Sequence, residues 1–265
     1  MAKKKNRYTQ LIEEIFFNHY EPGASEVLFE RTEIVDAASK LGVALPKNLG
    51  DVLYSFRYRA HLPDRILKEA PEGTQWVIRP AGQAKYKFQL SPESRIEPSP
   101  LLAVTKVLDA TPGLIDKYAL GDEQALLAKI RYNRLVDTFT SLTCYSLQSH
   151  LRTTVPDIGQ VETDEIYVGL DKRGAHYVIP VEAKSPKDRV GIVQIEQDFA
   201  VCATKFPDAI ARPVAAQFMN DGTIAMFEFE TGEDGVAITA EKHYRLVPPS
   251  QLSETELRDY RNRQE

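Results

Sequence analysis

Two strand-like runs joined by a short turn constrain the fold of this chain more than any other feature. They lie in QVETDEIYVGLDKRGAHYVIPVEAKS, residues 160–185, and DKRG at 171–174 has the composition of a hairpin turn. The second run is apolar on both faces of a strand, with Tyr177, Ile179 and Val181 on one face and Val178 and Pro180 on the other. Such a strand is typical of a sheet that is covered on both sides, so we expect flanking helices.

The same turn predicts which residues face each other across the hairpin. Centring it on Arg173 pairs residues whose numbers sum to 346, as those of Asp164 and Glu182 do. Their Cβ atoms would lie about 5 Å apart, and Lys184 would share their face because strand side chains repeat every second residue. A cation between two such carboxylates would relieve their repulsion, and Mg²⁺ prefers oxygen ligands of this kind. An ordinary charge pair on an exposed sheet face is the alternative.

Composition limits the kind of protein but does not decide its partner. No run approaches the roughly 18–20 apolar residues of a membrane span, and the basic start MAKKKNRYTQ is not followed by an apolar segment, so we expect an unprocessed cytoplasmic protein without a membrane partner. Cys144 and Cys202 lack metal-site spacing and are predicted to be buried free thiols. The net charge is -5, but residues 1–100 carry 15 basic and 13 acidic side chains. The acidic excess lies in the rest of the chain, where metal ligands would account for part of it.

The stretch SPESRIEPSP, residues 91–100, predicts a linker between a domain over residues 1–90 and a second domain over 101–265. The first domain reads as helix, turn, helix and hairpin, an order that resembles a winged-helix DNA-binding domain. The expected DNA contacts come from its second helix and its hairpin: Lys47, Asn48, Tyr54, Arg57, Arg59, Arg79, Lys85 and Lys87. Helix pairs of this type also mediate protein contacts, and that interpretation stays open.

The second domain is predicted to be of the α/β class, in mixed α+β form, with a mixed sheet flanked by helices. Helices are predicted over 122–139 and at about 190–205, on either side of strands at about 145–154, 163–170 and 176–184. Further strand-like runs follow in RPVAAQFM, AMFEFE and YRLVP. Pro180 lacks a ladder donor and predicts a bend or bulge in its strand.

The order of these features resembles the PD-(D/E)xK nuclease superfamily, which includes many type II restriction endonucleases. The order is an acid at the start of one strand, Glu-x-Lys on the antiparallel neighbour and a helix after it. The resemblance implies that Asp164 and Glu182 bind a divalent cation and that Lys184 orients or deprotonates the attacking water. It also implies a third acid, Glu123, in the first turn of the preceding helix, and a site glutamine, Gln194, on the following helix. The alternatives for these two are a helix-dipole acid and an exposed helix glutamine.

This resemblance covers about residues 120–230 and implies a restriction-endonuclease-like fold with Mg²⁺-dependent hydrolysis of DNA phosphodiester bonds. Mn²⁺ is expected to substitute for Mg²⁺. The expected partners are double-stranded DNA, a second copy of the chain in a homodimer and a companion DNA methyltransferase. A sequence-specific type II restriction enzyme is the first hypothesis. A structure-selective DNA repair or recombination nuclease and a winged-helix regulator with an inactive nuclease-like domain are the alternatives.

Overall fold

A computed structural model describes residues 6–58, 60–92, 96–118, 123–156, 158–232 and 235–263. The chain divides into two compact units. The first comprises Met1–Ile96, Arg152–Val161 and Gly191–Val201, and the second comprises Glu97–Leu151, Glu162–Val190 and Cys202–Glu265. The division after Ile96 falls inside the predicted linker. Two later segments of the predicted second domain belong to the first unit.

The first unit combines helices with a small antiparallel sheet. Its helices are α1 Arg7–His19, α2 Glu33–Leu41, α3 Gly50–Tyr58 and α4 Asp64–Leu67, and its strands are β1 Glu26–Glu30, β2 Thr74–Pro80 and β3 Lys85–Pro92. The strand order is β1-β3-β2. The predicted order of helix, turn, helix and hairpin is confirmed. The sequence interpretation does not include β1, because five residues with only Val27 and Phe29 turned inward give too short an alternation to stand out.

Helical spacing of apolar residues builds the core of the first unit. Leu11, Ile12, Ile15 and Phe16 of α1 have no exposed surface and pack against the β2–β3 hairpin. Burying a side chain of this size contributes about 1.5–3 kcal/mol. The α2–α3 turn is set locally, since Gly42 takes a left-handed conformation that ends α2. The start of α3 at Gly50 is also set locally, because the Asn48 side chain accepts from the Gly50 backbone N–H.

The remaining elements build a mixed sheet with helices. In chain order they are β4 Val104–Leu108, α5 Gly113–Tyr118, α6 Glu123–Tyr132, α7 Leu135–Thr140, β5 Thr143–Val155, β6 Gly159–Leu170, β7 His176–Lys184, α8 Ile192–Lys205, β8 Ile210–Ala211, β9 Val214–Phe218, β10 Ile224–Gly232, β11 Gly235–Val247, a 3₁₀ helix Pro249–Gln251 and α9 Glu254–Asn262. The sheet order is β4-β11-β10-β9-β7-β6-β5, with β8 beside β7. Since β7 is parallel to β9 and antiparallel to β6, the predicted mixed sheet is confirmed.

Helices α6 and α7 cover one face of this sheet. Their apolar side chains pack against Tyr167 of β6 and Ile179 and Val181 of β7, all of which are buried. The predicted strands at 145–154, 163–170 and 176–184 lie within β5, β6 and β7, so the hairpin is where the sequence placed it. The two cysteines are buried and free, as predicted.

The prediction of one helix over 122–139 is wrong, although Asp122 itself lies outside the described residues. Helix α6 ends at Tyr132, and α7 begins three residues later. The Asn133 side chain donates to the Lys129 carbonyl and accepts from the Ala110 N–H at 2.7 Å. Arg134 then takes a left-handed conformation, with φ of +48°. An asparagine that bonds to backbone groups competes with the helical ladder, so the helix breaks there.

Of the bend or bulge predicted at Pro180, the bulge is absent, because the β6–β7 register runs through Pro180 without a shift. The Val178 carbonyl accepts from the Arg212 N–H, on the side of β7 that carries β8 and β9. Residues two apart direct their backbone groups to the same side, so the Pro180 nitrogen faces that side too. The ladder there is interrupted between Ala211 and Val214. Pro180 therefore lacks its N–H at a position where β7 makes no ladder hydrogen bond to β8 or β9.

Candidate functional site

The turn of the β6–β7 hairpin is fixed by its own side chain. The Asp171 carboxylate accepts from the backbone N–H groups of Arg173 and Ala175, at 2.8 and 3.0 Å. These backbone hydrogen bonds, with that of Ala175 the largest cause, lower the pKa of Asp171 to about 2. The resulting register pairs residues whose numbers sum to 346, from Leu170 with His176 to Glu165 with Val181, as predicted.

Asp164 lies one residue beyond the end of this ladder. Its Oδ2 accepts from the Ala183 backbone N–H at 2.9 Å, in place of the carbonyl that a further ladder bond would supply. The carboxylate is thereby held beside the last residues of β7, with 19% of its side chain exposed. One oxygen is occupied by the backbone, and the group remains in reach of solvent.

Lys184 draws the two predicted acids together. Its Nζ lies 3.2 Å from Glu182 Oε2 and 3.9 Å from Asp164 Oδ2. Glu182 is 1% exposed and Lys184 is 6% exposed, so this contact is made almost without water. The interpretation as an exposed charge pair on a sheet face is therefore wrong.

The charge on Lys184 is strongly stabilised by its neighbours. Burial lowers its pKa, but the carboxylates of Glu182, Asp164 and Glu123 outweigh burial and raise the pKa well above its ordinary value. Glu123 is the first residue of α6 and is half-buried. Its charge acts on the same ammonium group, so all three predicted acids contribute to the raised pKa of Lys184.

Two oxygen donors on one face fit the needs of Mg²⁺, which binds through one or two carboxylates, keeps several waters and takes further oxygens from phosphate. Asp164 and Glu182 supply that pair. Within the ranges that the structure describes, no group of three or more His, Cys, Asp or Glu side chains is arranged to hold a metal ion. The donor set therefore fits a hydrated cation and not a closed protein cage.

The other predicted catalytic residue, Gln194, lies in the first unit, near the start of α8. Its role stays a prediction. Thus Asp164 and Glu182 lie beside Lys184 in the second unit, which also contains Glu123, and Gln194 belongs to the other unit.

The predicted DNA contacts of the first unit differ in how they are engaged. Lys47 and Tyr54 are exposed, and Arg57 lies over the Tyr86 ring. Asn48 caps α3 and also donates to Asp51. Arg59 lies outside the described residues.

The three predicted cations of the hairpin all lie beside acids of their own unit. Lys85 Nζ is 3.9 Å from Glu30 and Lys87 Nζ is 2.6 Å from Glu26. Arg79 makes a two-pronged contact with Glu196 and also donates to Gln89. The two lysine pairs are exposed or half-exposed, and pairs of this kind are worth at most about 1 kcal/mol, so a phosphate could replace the acid.

Sequence reasoning missed two polar groups next to the site. On the opposite face of β6, Glu165 is fully buried and its Oε1 accepts from Arg131 Nε at 2.9 Å and from Ser146 at 2.6 Å. On β9, Gln217 is 8% exposed and pairs with Lys184 in the parallel ladder. The available signal was a polar residue inside an otherwise apolar strand, VAAQF, the same signal that pointed to Glu182.

Comparisons with known proteins supply no relative from which a function could be taken. No family model matches the chain, and no curated protein or solved structure matches it. None of the helices in the described ranges has the length and apolar character that crossing a membrane requires. The function is therefore inferred from the site's own residues.

Proposed function

We propose that this protein is a Mg²⁺-dependent endonuclease that hydrolyses DNA phosphodiester bonds, with a restriction-endonuclease-like catalytic unit and a winged-helix DNA-binding unit. One observation carries the proposal: the Lys184 amine, at the end of the interior strand β7, is buried against Glu182 and beside Asp164. Burying unbalanced charge is costly, and proteins retain such clusters mainly at functional sites.

The residues of the cluster match the needs of phosphodiester hydrolysis. Asp164 and Glu182 would hold the cation, which when bound would compensate the negative charge of the phosphorane-like transition state. The Lys184 amine, held by these carboxylates, would orient the attacking water by a hydrogen bond. Glu123 would add negative charge and strengthen the preference for a divalent cation over a monovalent one.

The first unit supplies features that support a DNA partner. Its order α1, β1, α2, α3, α4, β2, β3 with the sheet β1-β3-β2 resembles that of a winged helix. The exposed Lys47 precedes α3, and the exposed Tyr54 lies on it. Such a helix places base-edge and phosphate donors in a groove. Sequence-specific double-strand cleavage by a homodimer, as in a type II restriction enzyme with a companion methyltransferase, is the form of activity we propose.

The test is cleavage of DNA by the full chain with and without Mg²⁺. The substrates are unmethylated linear DNA, supercoiled plasmid and branched junctions, and the variants are Glu182→Ala, Lys184→Ala and the control Glu228→Gln. Glu228 is also a mostly buried acid with a cationic partner, Arg212, but it lies away from the cluster on β10. We expect the wild type and the control to cut and both site variants to lose at least about 10²-fold in rate.

Each outcome assigns a function. Discrete fragments from linear DNA support restriction, whereas cleavage confined to branched DNA assigns a repair or recombination nuclease. Cleavage that Glu182→Ala and Lys184→Ala leave intact, or that needs no divalent cation, overturns the site. If the wild type binds DNA but does not cleave it, the nuclease proposal is overturned and the winged-helix regulator is the remaining hypothesis.

A further inference from the structure

Gln217 lies beside Lys184, on the neighbouring strand of the sheet. Strands β7 and β9 are parallel, and their ladder pairs Glu182 with Ala215 and Lys184 with Gln217. Paired residues of parallel neighbours project to the same face, about 4.8 Å apart between backbones. Gln217 therefore stands on the face that carries the two carboxylates, next to the amine that joins them.

The orientation of the Gln217 amide is fixed by its nitrogen. Nε2 donates to the backbone carbonyl of Asp188 at 2.9 Å, and only the nitrogen end of an amide can donate. Asp188 in turn belongs to the turn after β7, which is closed by its own contact with the Ser185 hydroxyl at 2.6 Å. The nitrogen end is thus directed to the turn, and the oxygen end is directed away from it.

The amide oxygen is buried and unused. Gln217 is more than nine-tenths buried, and its Oε1 makes no hydrogen bond within the described part of the chain. Leaving a buried acceptor unsatisfied costs about 1–3 kcal/mol, so such an atom calls for a donor that comes from outside the protein. A hydrated divalent cation at the site would supply such donors, because its waters point their hydrogens outward.

We propose that Gln217 Oε1 accepts a hydrogen bond from a water of the divalent cation held by Asp164 and Glu182, which makes Gln217 a positioning residue of the site. The inference rests on the proposed function and deepens it. Groups that bond to a metal's ligands typically contribute 10- to 100-fold to metal affinity. Gln217 would fix one water of the cation and hence the direction in which the cation meets its substrate.

The test is calorimetric titration of the full chain with Mn²⁺ in the absence of DNA, so that its readout does not depend on cleavage. Gln217→Met removes both amide contacts at similar size, whereas Gln217→Glu keeps an acceptor and removes the donor to Asp188. We expect the Met variant to bind Mn²⁺ about tenfold more weakly. We expect the Glu variant to bind at least as tightly as the wild type. Gln148→Met, at an exposed position of β5, is the matched control and should leave the affinity unchanged.

The outcomes separate this inference from the proposed function. Wild-type Mn²⁺ affinity in Gln217→Met overturns the role of Gln217. Equal weakening in the Met and Glu variants overturns it too, because both variants lose the contact with Asp188 and the role would then be only structural. Gln217→Asn, which withdraws the amide by one methylene, should weaken binding similarly if the Met variant does not fold. Mn²⁺ binding that is lost in Glu182→Gln but kept in Gln217→Met removes only the role of Gln217. Binding that is absent from the wild type removes both.

Discussion

Lys184 and Arg212 both make ion pairs inside the second unit, and the two pairs are built on opposite principles. Arg212 faces one carboxylate, Glu228, which it meets with two nitrogens, and its third nitrogen donates to the Thr140 carbonyl at 2.9 Å. Lys184 instead faces the charges of three acids. The first group is balanced in charge and satisfied in hydrogen bonds, as a structural ion pair should be. The second carries excess negative charge.

The two groups differ in charge balance and not in burial. Burial alone does not separate the two groups, since Glu228 and Glu182 are both buried. What separates them is the imbalance around Lys184, together with a buried acceptor on Gln217 that has no donor among the described residues. An added divalent cation with its waters would correct both deficits at once.

The largest expected effect comes from removing the amine while keeping the acids. Lys184→Met should lower the rate of Mg²⁺-dependent cleavage by about 10²–10⁴-fold, the usual contribution of a group that positions or exchanges a proton. The same variant should bind Mn²⁺ at least as tightly as the wild type, because the site becomes more negative. Cleavage kinetics and calorimetry measure the two effects. A loss of Mn²⁺ binding in this variant would show that the amine is needed to hold the two acids in place, which would contradict the excess of negative charge inferred for this group.

The next effect tests the balanced pair. Glu228→Gln should destabilise the protein by about 3 kcal/mol, because it leaves Arg212 without its charged partner in a largely buried position. Urea unfolding measures the change in free energy. The Mn²⁺ affinity of this variant should equal that of the wild type. Altered affinity would mean that the two groups are coupled and that the contrast between them is not valid.

A smaller effect is expected from the cation itself. Ligand at ten times its dissociation constant stabilises a protein by about 1.4 kcal/mol when it binds only the folded state. Mg²⁺ should raise the melting temperature of the wild type and of Glu228→Gln, but not that of Glu182→Gln. Thermal unfolding with and without Mg²⁺ measures this shift. A shift of equal size in all three proteins would locate the binding elsewhere.

The smallest effect concerns Asp171, the acid of the hairpin turn. The pKa of Asp171 is lowered to about 2, so its charge stabilises the folded state above the ordinary pKa near 4, and this stabilisation is lost as the pH falls from about 4 to about 2. Asp171→Asn should therefore be slightly less stable than the wild type at pH 6 and equally stable at pH 2. Unfolding curves at the two pH values measure the difference. A difference in stability that persists at pH 2 would show that it comes from the shape of the turn and not from the Asp171 charge.

The hairpin could be predicted in full because every determinant is local. The turn residues at 171–174 and the two-residue period of strand side chains together specify the sum of 346, and a slip of one residue would reverse the buried face. The shared face of Asp164, Glu182 and Lys184 follows from that arithmetic. The core positions of α1 and the helix end at Gly42 are local for the same reason.

Two features of the site depend on the tertiary structure alone. One is the position of Gln217 beside Lys184, and the other is the effect of the Glu123 charge on the same amine. Gln217 reaches its place through a parallel pairing, and a parallel connection has no turn that fixes its register. The break at Asn133 and the harmless position of Pro180 likewise depend on distant partners, the loop at Ala110 and the gap before β9. The sequence therefore determined the pair of acids with their amine, since a hairpin encodes its own register. The packing of separate segments decided what surrounds them.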